Sequence, residues 1–197
     1  MRYPVSRALS VLGVMLIAGC AAPPPAQVAA PPGYLDEARG IAATVPVNLL
    51  TVLTAELNRS GPAGAIEVCR DKAPEMARAA SQRTGWGVRR ASLRNRNPKG
   101  VPDAWERAAL ERFDAQAAAG VAGSTLETYQ VVSEDGKPYF RYAKALPTQA
   151  LCVQCHGAAD KLSEPVKAKL QALYPNDRAT GYEPGQIRGA LFLKKPI

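Results

Sequence analysis

Apolar residues recur every three or four positions over the first third of the folded part of the chain, which predicts helices there. The first helix runs from about Leu35 to Asn58. Its apolar stripe consists of Val45, Leu49, Val52, Leu53 and Leu57. Pro46 predicts a kink or a restart within this helix, and the segment Ser60-Gly61-Pro62 predicts its end.

A second helix is predicted over 61–85, where the same spacing continues. Its apolar positions are Ile66, Cys69, Ala73, Met76, Ala77 and Ala80. Cys69 and Met76 are seven residues apart, so an α-helix would place both on one inward-facing side.

After Gly85 the pattern changes, and strands alternate with further helices. "WGVRRASLR" (86–94) predicts a strand, and two β-rich runs around Asp135-Gly136 predict a hairpin. Helices are predicted from Pro102 to Ala119 and from Ser163 onward, and "IRGALFL" (187–193) predicts a closing strand. This order predicts an α+β domain with an antiparallel sheet.

The first 33 residues differ in composition from the rest of the chain. Arg2 and Arg7 precede an apolar run that ends in small residues and Cys20, and the sequence resembles a bacterial lipobox. We therefore expect residues 1–19 to be a lipoprotein signal peptide and Cys20 to carry lipid. Residues 20–33, rich in Pro and Ala, predict a tether, and residues 34–197 form the single folded domain.

The charge limits the range of partners. Removing residues 1–19 takes Arg2 and Arg7 from the 25 basic residues, so 23 stand against 17 acidic ones and the net charge falls from +8 to +6. The basic residues are dispersed, and the expected location is the periplasmic face of a membrane, so nucleic acid is not a predicted partner. Ala21 after Cys20 favours the outer membrane.

The chemistry-bearing segment is "LCVQCHG", which contains the one histidine of the chain. C-x-x-C-H is the attachment signature of haem c, in which Cys152 and Cys155 form thioethers and His156 binds iron. Three alternatives remain: a thioredoxin-like dithiol, a zinc site completed by Cys69, and a structural disulfide. The thioredoxin-like dithiol lacks a βαβ context, and the zinc site lacks a fourth ligand near the motif in sequence. A structural disulfide would make the adjacent His156 a coincidence.

His156 can supply only one axial ligand, so a second ligand must be another residue type. The remaining soft donors after signal removal are Cys69 and Met76. Both could equally be core residues, because free cysteine and methionine are commonly buried. An unpaired thiol in an oxidising compartment is nevertheless prone to oxidation unless it is buried or ligated.

Four ordered segments resemble one family of single-haem c-type proteins with a PAS-like fold, the Tll-type haem domain, formerly a domain of unknown function. The segments are "AIEVCRDKAP" (65–74), "RNPKGVPDAWE" (96–106), "YFRYAKAL" (139–146) before the haem motif, and "GQIRGALF" (185–192). The resemblance implies a sheet and helices enclosing one covalent haem c, with His156 and Cys69 as axial ligands. It also implies redox sensing or electron transfer, with a redox or signalling partner that the sequence does not identify.

Haem carries carboxylates, so some of the arginines near the motifs are expected to pair with them. The candidates are Arg89, Arg90, Arg94, Arg96 and Arg141. A catalytic function is not expected, because the only imidazole is assigned to iron and no nucleophile has a paired base. Two alternatives are a non-catalytic interaction module with a structural haem and a diatomic-gas sensor with a labile sixth ligand.

Overall fold

The computed structural model describes residues 29–197, which form a four-stranded antiparallel sheet covered by helices. The strands are β1 (Gly87–Ala91), β2 (Glu127–Glu134), β3 (Lys137–Pro147) and β4 (Ile187–Pro196). Their order across the sheet is β1-β4-β3-β2, so the last strand of the chain lies inside the sheet. The predicted α+β class is confirmed.

The β2–β3 hairpin turns at Asp135-Gly136, as predicted. Both residues have positive φ, 50° and 75°, and Glu134 pairs with Lys137 across the turn. A two-residue turn with two positive φ values matches the twist of the paired strands, which explains the Asp-Gly sequence.

Five α-helices flank the sheet. They are α1 (Tyr34–Glu67), α2 (Ala73–Thr84), α3 (Ala104–Ala118), the single-turn α4 (Val153–His156) and α5 (Glu164–Leu173). Residues of α1 and α2 pack on one face of the sheet, around Trp86, Phe140 and Tyr142. Helix α3 covers the other face through Phe113 and its neighbours.

The part of α1 before Gly61 and the helical segment after it, which continues into α2, form an antiparallel hairpin whose corner is Gly61. Gly61 has φ 67° and ψ −176°, the only non-helical dihedral angles within α1. The helix continues without a break through Pro46. Ala42 and Ala80 belong to the same core cluster, and Gly61 lies midway between them along the chain. The predicted break at Ser60-Gly61-Pro62 is therefore present, and the predicted kink or restart at Pro46 is not.

Between Ala42 and Ala65, no residue of the first helix is fully buried. Ala38, Ile41 and Ala42 enter the core, whereas the predicted stripe is half-buried and Val52 is 38% exposed. By length and composition alone, the helical stretch Tyr34–Thr84, which includes the corner at Gly61, could span a membrane, and 11% of its most apolar window is buried. Because α1 also packs on the sheet, it is an integral part of the domain.

A π-helical turn, Val68–Lys72, joins α1 to α2 and contains Cys69. A π-helical turn contains one more residue than an α-helical turn. The 3.6-residue periodicity that placed Cys69 and Met76 on one face is therefore interrupted between them. Both side chains are half-buried rather than fully inward.

Helix α3 begins at Ala104, two residues later than its sequence pattern predicted. Asp103 is the N-cap rather than a residue of the first turn, and Pro102 precedes it. Asp103 accepts a hydrogen bond from the Glu106 backbone, and the Glu106 carboxylate accepts one from the Asp103 backbone. This capping box satisfies two backbone donors that a helix start leaves without partners.

Candidate cofactor site

The C-x-x-C-H motif forms a compact turn after β3. Cys152 ends a 3-10 turn, and α4 carries Cys155 and His156. A side chain at position 157 would place its Cβ 2.5 Å from the carbonyl oxygen of Val153, so glycine is required there by close packing.

A loop before β4 holds the backbone of the motif. The Tyr182 N–H donates to the His156 carbonyl over 2.8 Å, and the Gly181 N–H donates to the Gly157 carbonyl over 2.7 Å. These two bonds fix the end of α4 against a segment about 25 residues further along the chain.

Arg96 connects the motif to the same loop. Its Nη2 donates to the Cys155 carbonyl over 2.6 Å, and its Nε donates to Asp177 over 2.9 Å. Arg96 is 8% exposed, and the ion pair with Asp177 is buried with it. The "RNP" segment thus has a definite role, which is to hold the backbone of the cysteine motif.

The His156 imidazole is oriented by a backbone carbonyl. Its Nδ1 lies 2.7 Å from the oxygen of Ala179, and a carbonyl can only accept, so Nδ1 carries the hydrogen. Burial, followed by the charges of Arg188 and Arg96, lowers the pKa of His156 to about 2. The ring is therefore neutral, and Nε2 retains a lone pair for a metal.

Arg188 is the closest charged neighbour of that ring. Its Nε lies 3.2 Å from Nδ1 and 3.5 Å from Nε2 of His156. Since Nδ1 already carries a hydrogen that Ala179 accepts, Arg188 is a packing neighbour of the ring and not a donor to Nδ1. Its Nη1 donates instead to Ser92 over 3.0 Å and to the Arg94 carbonyl over 3.3 Å.

The structure brings Cys69 to the same place as the motif cysteines. The pKa of Cys69 is raised above its usual value, mainly by burial and against the lowering effect of the positive charges of Arg90, Arg96 and Arg188. The Cys155 thiol lies 3.7 Å from the Pro62 carbonyl, and burial is the main cause that raises its pKa to about 11. The helical segment just before Cys69 therefore packs beside the turn that carries Cys155 and His156, and Cys69, Cys152 and Cys155 are all free thiols.

These donors are not arranged around a single ion. Within residues 29–197, no group of three or more His, Cys, Asp and Glu side chains is close enough to hold one metal ion. The four-ligand zinc site weighed from the sequence therefore has no matching geometry in this part of the chain. Thiols and an imidazole that lie on neighbouring segments without surrounding one ion would suit a larger cofactor that reaches each of them.

Most of the candidate arginines already have partners. Arg89 bonds Glu106, Arg141 bonds Asp103 and Glu134, and Arg94 lies over the Tyr182 ring. The side chain of Arg90 has no hydrogen-bond or ion-pair partner among residues 29–197, whereas its backbone pairs with Leu191 in the sheet. Arg188, Ala179 and Asp177 were not predicted from the sequence, because neither residue type nor spacing marks a backbone acceptor or a loop carboxylate.

Two further residues were predicted from the sequence to belong to functional sites. Met76 lies on α2 beyond the π-turn and is half-buried. Cys20, the predicted lipid attachment residue, falls outside the described residues.

Comparison with known proteins gives one family and one related structure. The model of the Tll0287-like family matches residues 26–196. The crystal structure of the cyanobacterial haem protein Tll0287 superposes with a TM-score of 0.65 and 26% sequence identity, covering 85% of this chain and 97% of that one. A search of curated proteins gave no match. With 171 of its 197 positions matched in this way, the chain belongs to the Tll0287-like family.

Proposed function

We propose that the chain is a haem c protein, with thioether bonds from Cys152 and Cys155 and axial ligation by His156 and Cys69. The observation that carries this proposal is the His156 ring in the C-x-x-C-H turn, whose Nδ1 is bonded to Ala179 so that Nε2 is left to bind iron. The helical segment just before Cys69 packs beside that turn. The family match and the haem protein of similar structure support the same cofactor.

The donor chemistry fits this cofactor. Two thiols separated by two residues on one turn of chain suit two thioether bonds, and a neutral imidazole oriented through its other nitrogen suits an axial position. Cys69 comes from a separate segment, the π-helical turn Val68–Lys72, and would supply the second protein ligand to the iron. When bound, haem supplies a one-electron iron couple.

The chain's own residues would then tune that couple. Arg96 and the loop carbonyl of Ala179 hold the motif and the imidazole in place, which limits structural change between oxidation states. Thiolate donation from Cys69 favours the ferric state and lowers the potential. We assign the protein a role in electron transfer or redox sensing and no bond-making catalytic step.

We further propose that the domain is carried at the periplasmic face of a membrane by lipid on Cys20. The support is the lipobox-like segment and the uncharged tether that follows it. Mass analysis of the mature protein should show a diacylglyceryl or triacylated Cys20. A Cys20→Ala protein recovered in the membrane fraction with unchanged yield would contradict the anchor.

The test of the cofactor is the spectrum of the purified protein produced with the haem c maturation system. We expect a haem that stays bound under denaturation, and its loss of covalent attachment in the Cys152→Ala/Cys155→Ala double variant. A wild-type protein without covalent haem would overturn the proposal.

A second function, diatomic-gas sensing, is favoured by one specific observation. Cys69 lies in a π-helical turn, a local distortion that often marks functional positions and can change register at low cost. If Cys69 leaves the iron, carbon monoxide should bind the reduced protein rapidly. Absence of carbon monoxide binding would exclude sensing by this route and leave electron transfer or redox sensing.

A further inference from the structure

One carboxylate in the loop before β4 reaches both sides of the hydrogen bond that orients His156. That bond joins Nδ1 of His156 to the carbonyl oxygen of Ala179 over 2.7 Å. The carboxylate is that of Asp177, which lies between α5 and β4 and whose side chain is 11% exposed. Each of its two oxygens holds one side of the bond.

The first oxygen of Asp177 holds the side of the acceptor. Oδ1 accepts a hydrogen bond from the backbone N–H of Ala179 over 2.8 Å, which forms an Asx turn. Ala179 is completely buried, so this N–H would lose its partner if the carboxylate were removed. The backbone N–H of Asp177 in turn donates to the carbonyl of Tyr174 over 2.9 Å, and Tyr174 packs in the core beneath α5. Asp177 therefore ties the acceptor residue to the core of the domain.

The second oxygen of Asp177 holds the side of the donor. Oδ2 lies 2.9 Å from both Nε and Nη2 of Arg96. Nη2 also donates to the carbonyl of Cys155 over 2.6 Å, and this carbonyl belongs to the peptide that joins Cys155 to His156. Arg96 thereby fixes the backbone from which the imidazole projects, and Asp177 fixes Arg96.

Arg96 is also a competing donor for the carbonyl that His156 uses. Its Nη2 lies 3.4 Å from the oxygen of Ala179, whereas Nδ1 of His156 lies 2.7 Å from the same oxygen. A hydrogen bond from a charged donor is stronger than one from a neutral imidazole, so a closer approach of Arg96 would weaken the bond from His156. Pairing with Asp177 and with the Cys155 carbonyl keeps the guanidinium at the longer distance.

We propose that Asp177 is the positioning residue of the axial imidazole, and that its carboxylate sets how strongly His156 donates electrons to iron. This inference rests on the proposed function. A histidine ligand becomes more basic when its other ring nitrogen donates to a well-placed acceptor, and a more basic ligand favours ferric iron. Asp177 acts through Ala179 and Arg96 and not on the iron itself.

The test uses the full mature chain, loaded with haem, labelled with ¹⁵N-histidine and produced without a histidine tag. The chain has one histidine, so every imidazole signal in the NMR spectrum of the reduced protein belongs to His156. Asp177→Asn keeps the size of the side chain and an oxygen for the Ala179 N–H, but it removes the charge that holds Arg96. We expect the Nδ1 proton to exchange with solvent about tenfold faster than in wild type, the scale of one weakened charge-assisted hydrogen bond. The reduction potential should rise.

Two controls separate positioning from charge and from stability. Glu183→Gln makes the same charge change in the same loop at an exposed residue, so proton exchange and potential should equal those of wild type. Phe113→Leu removes packing from the α3 face of the sheet, where Phe113 is completely buried. It should lower the free energy of unfolding and leave the potential unchanged.

The outcomes distinguish this inference from the proposed function. Exchange and potential in Asp177→Asn that equal those of wild type would overturn the inference while leaving the haem site intact. A wild-type protein without covalent haem, or with a hydrogen on Nε2 of His156, would instead overturn the proposed function.

Should Asp177→Asn not fold, hydrogen exchange in the wild-type protein gives a second readout. If Asp177 holds both sides of the bond, the Nδ1 proton of His156 and the backbone amide proton of Ala179 should become exposed in the same opening. Their exchange rates should then depend equally on urea concentration. Different dependences would contradict the link through Asp177.

Discussion

Arg96 and Asp177 form an ion pair in which both side chains are almost withdrawn from solvent, 7% and 11% exposed, with 2.9 Å between Nη2 and Oδ2. The pair joins the segment after β1 to the loop that holds the His156 ring. It therefore links the integrity of the site to the stability of the fold.

Arg96→Gln should lower the free energy of unfolding by about 3 kcal/mol, because it leaves a buried carboxylate without its cation. Urea denaturation at neutral pH measures the change. The control is Lys167→Gln, which removes an exposed pair with Glu164 at the same distance scale, 2.8 Å, and should cost less than about 0.5 kcal/mol. Equal losses of stability in the two variants would show that the buried Arg96–Asp177 pair stabilises the fold no more than an exposed pair does.

Gly61→Ala should destabilise the protein by about 1–3 kcal/mol, because φ 67° with ψ −176° is a conformation that residues with a Cβ avoid. Gly40→Ala, in the same helix, should do the opposite. Nothing lies within 4 Å of an added Cβ there and its backbone is helical, so we expect a gain of about 0.5–1 kcal/mol. Thermal melting of the two variants tests this pair, and loss of stability in both would contradict the assignment of Gly61 as the corner.

The elements predicted correctly depend on local patterns. Asp135-Gly136 fits one turn type, and the helices have the periodicity or the caps that their positions require. The π-turn at Cys69 was not predictable; it directly follows the part of α1 that packs against α5 and α4, which is a long-range contact. Composition cannot signal such a change of register.

The site shows the same division between local and long-range information. Cys152, Cys155 and His156 are found from spacing alone, whereas the partners that orient them come from a loop and a strand far along the chain. Of five candidate arginines, the sequence could not show which would be neutralised by acids. That depends on the sheet face each one occupies, and Arg89 and Arg90 lie on opposite faces.

Glu106 should make stability fall as pH rises. Burial raises its pKa above the usual value of 4.5, against the lowering effect of the Asp103 backbone and of Arg89. The folded state therefore binds more protons than the unfolded chain between those two pKa values, and the free energy of unfolding decreases through that interval. Glu106→Gln should remove this decrease, measured by urea denaturation between about pH 4 and 7. An identical pH profile in the variant would contradict the assignment.

Glu127 should behave in the opposite way. Burial raises its pKa, but hydrogen bonds from Arg39 and Tyr142 lower it further than burial raises it. The contribution of Glu127 to the free energy of unfolding is then fully present above the usual carboxyl pKa. It is lost as the pH falls through the lowered pKa of the folded state. Glu127→Gln should reduce the acid-induced loss of stability, measured in the same pH series. A larger loss at low pH in the variant would be inconsistent with this.

Cys69→Ala should change the iron in the haem-loaded protein more than any other substitution outside the C-x-x-C-H motif. Loss of a thiolate ligand removes charge donation, so the six-coordinate low-spin ferric spectrum should become high-spin or water-ligated and the reduction potential should rise. Spectroscopy and potentiometric titration of the purified protein measure both changes. Met76→Ala is the control, because Met76 is the other soft donor and lies beyond the π-turn that separates it from Cys69; it should leave the spectrum and the potential unchanged. A low-spin spectrum that persists in Cys69→Ala and is lost in Met76→Ala would show that Met76, and not Cys69, is the second axial ligand.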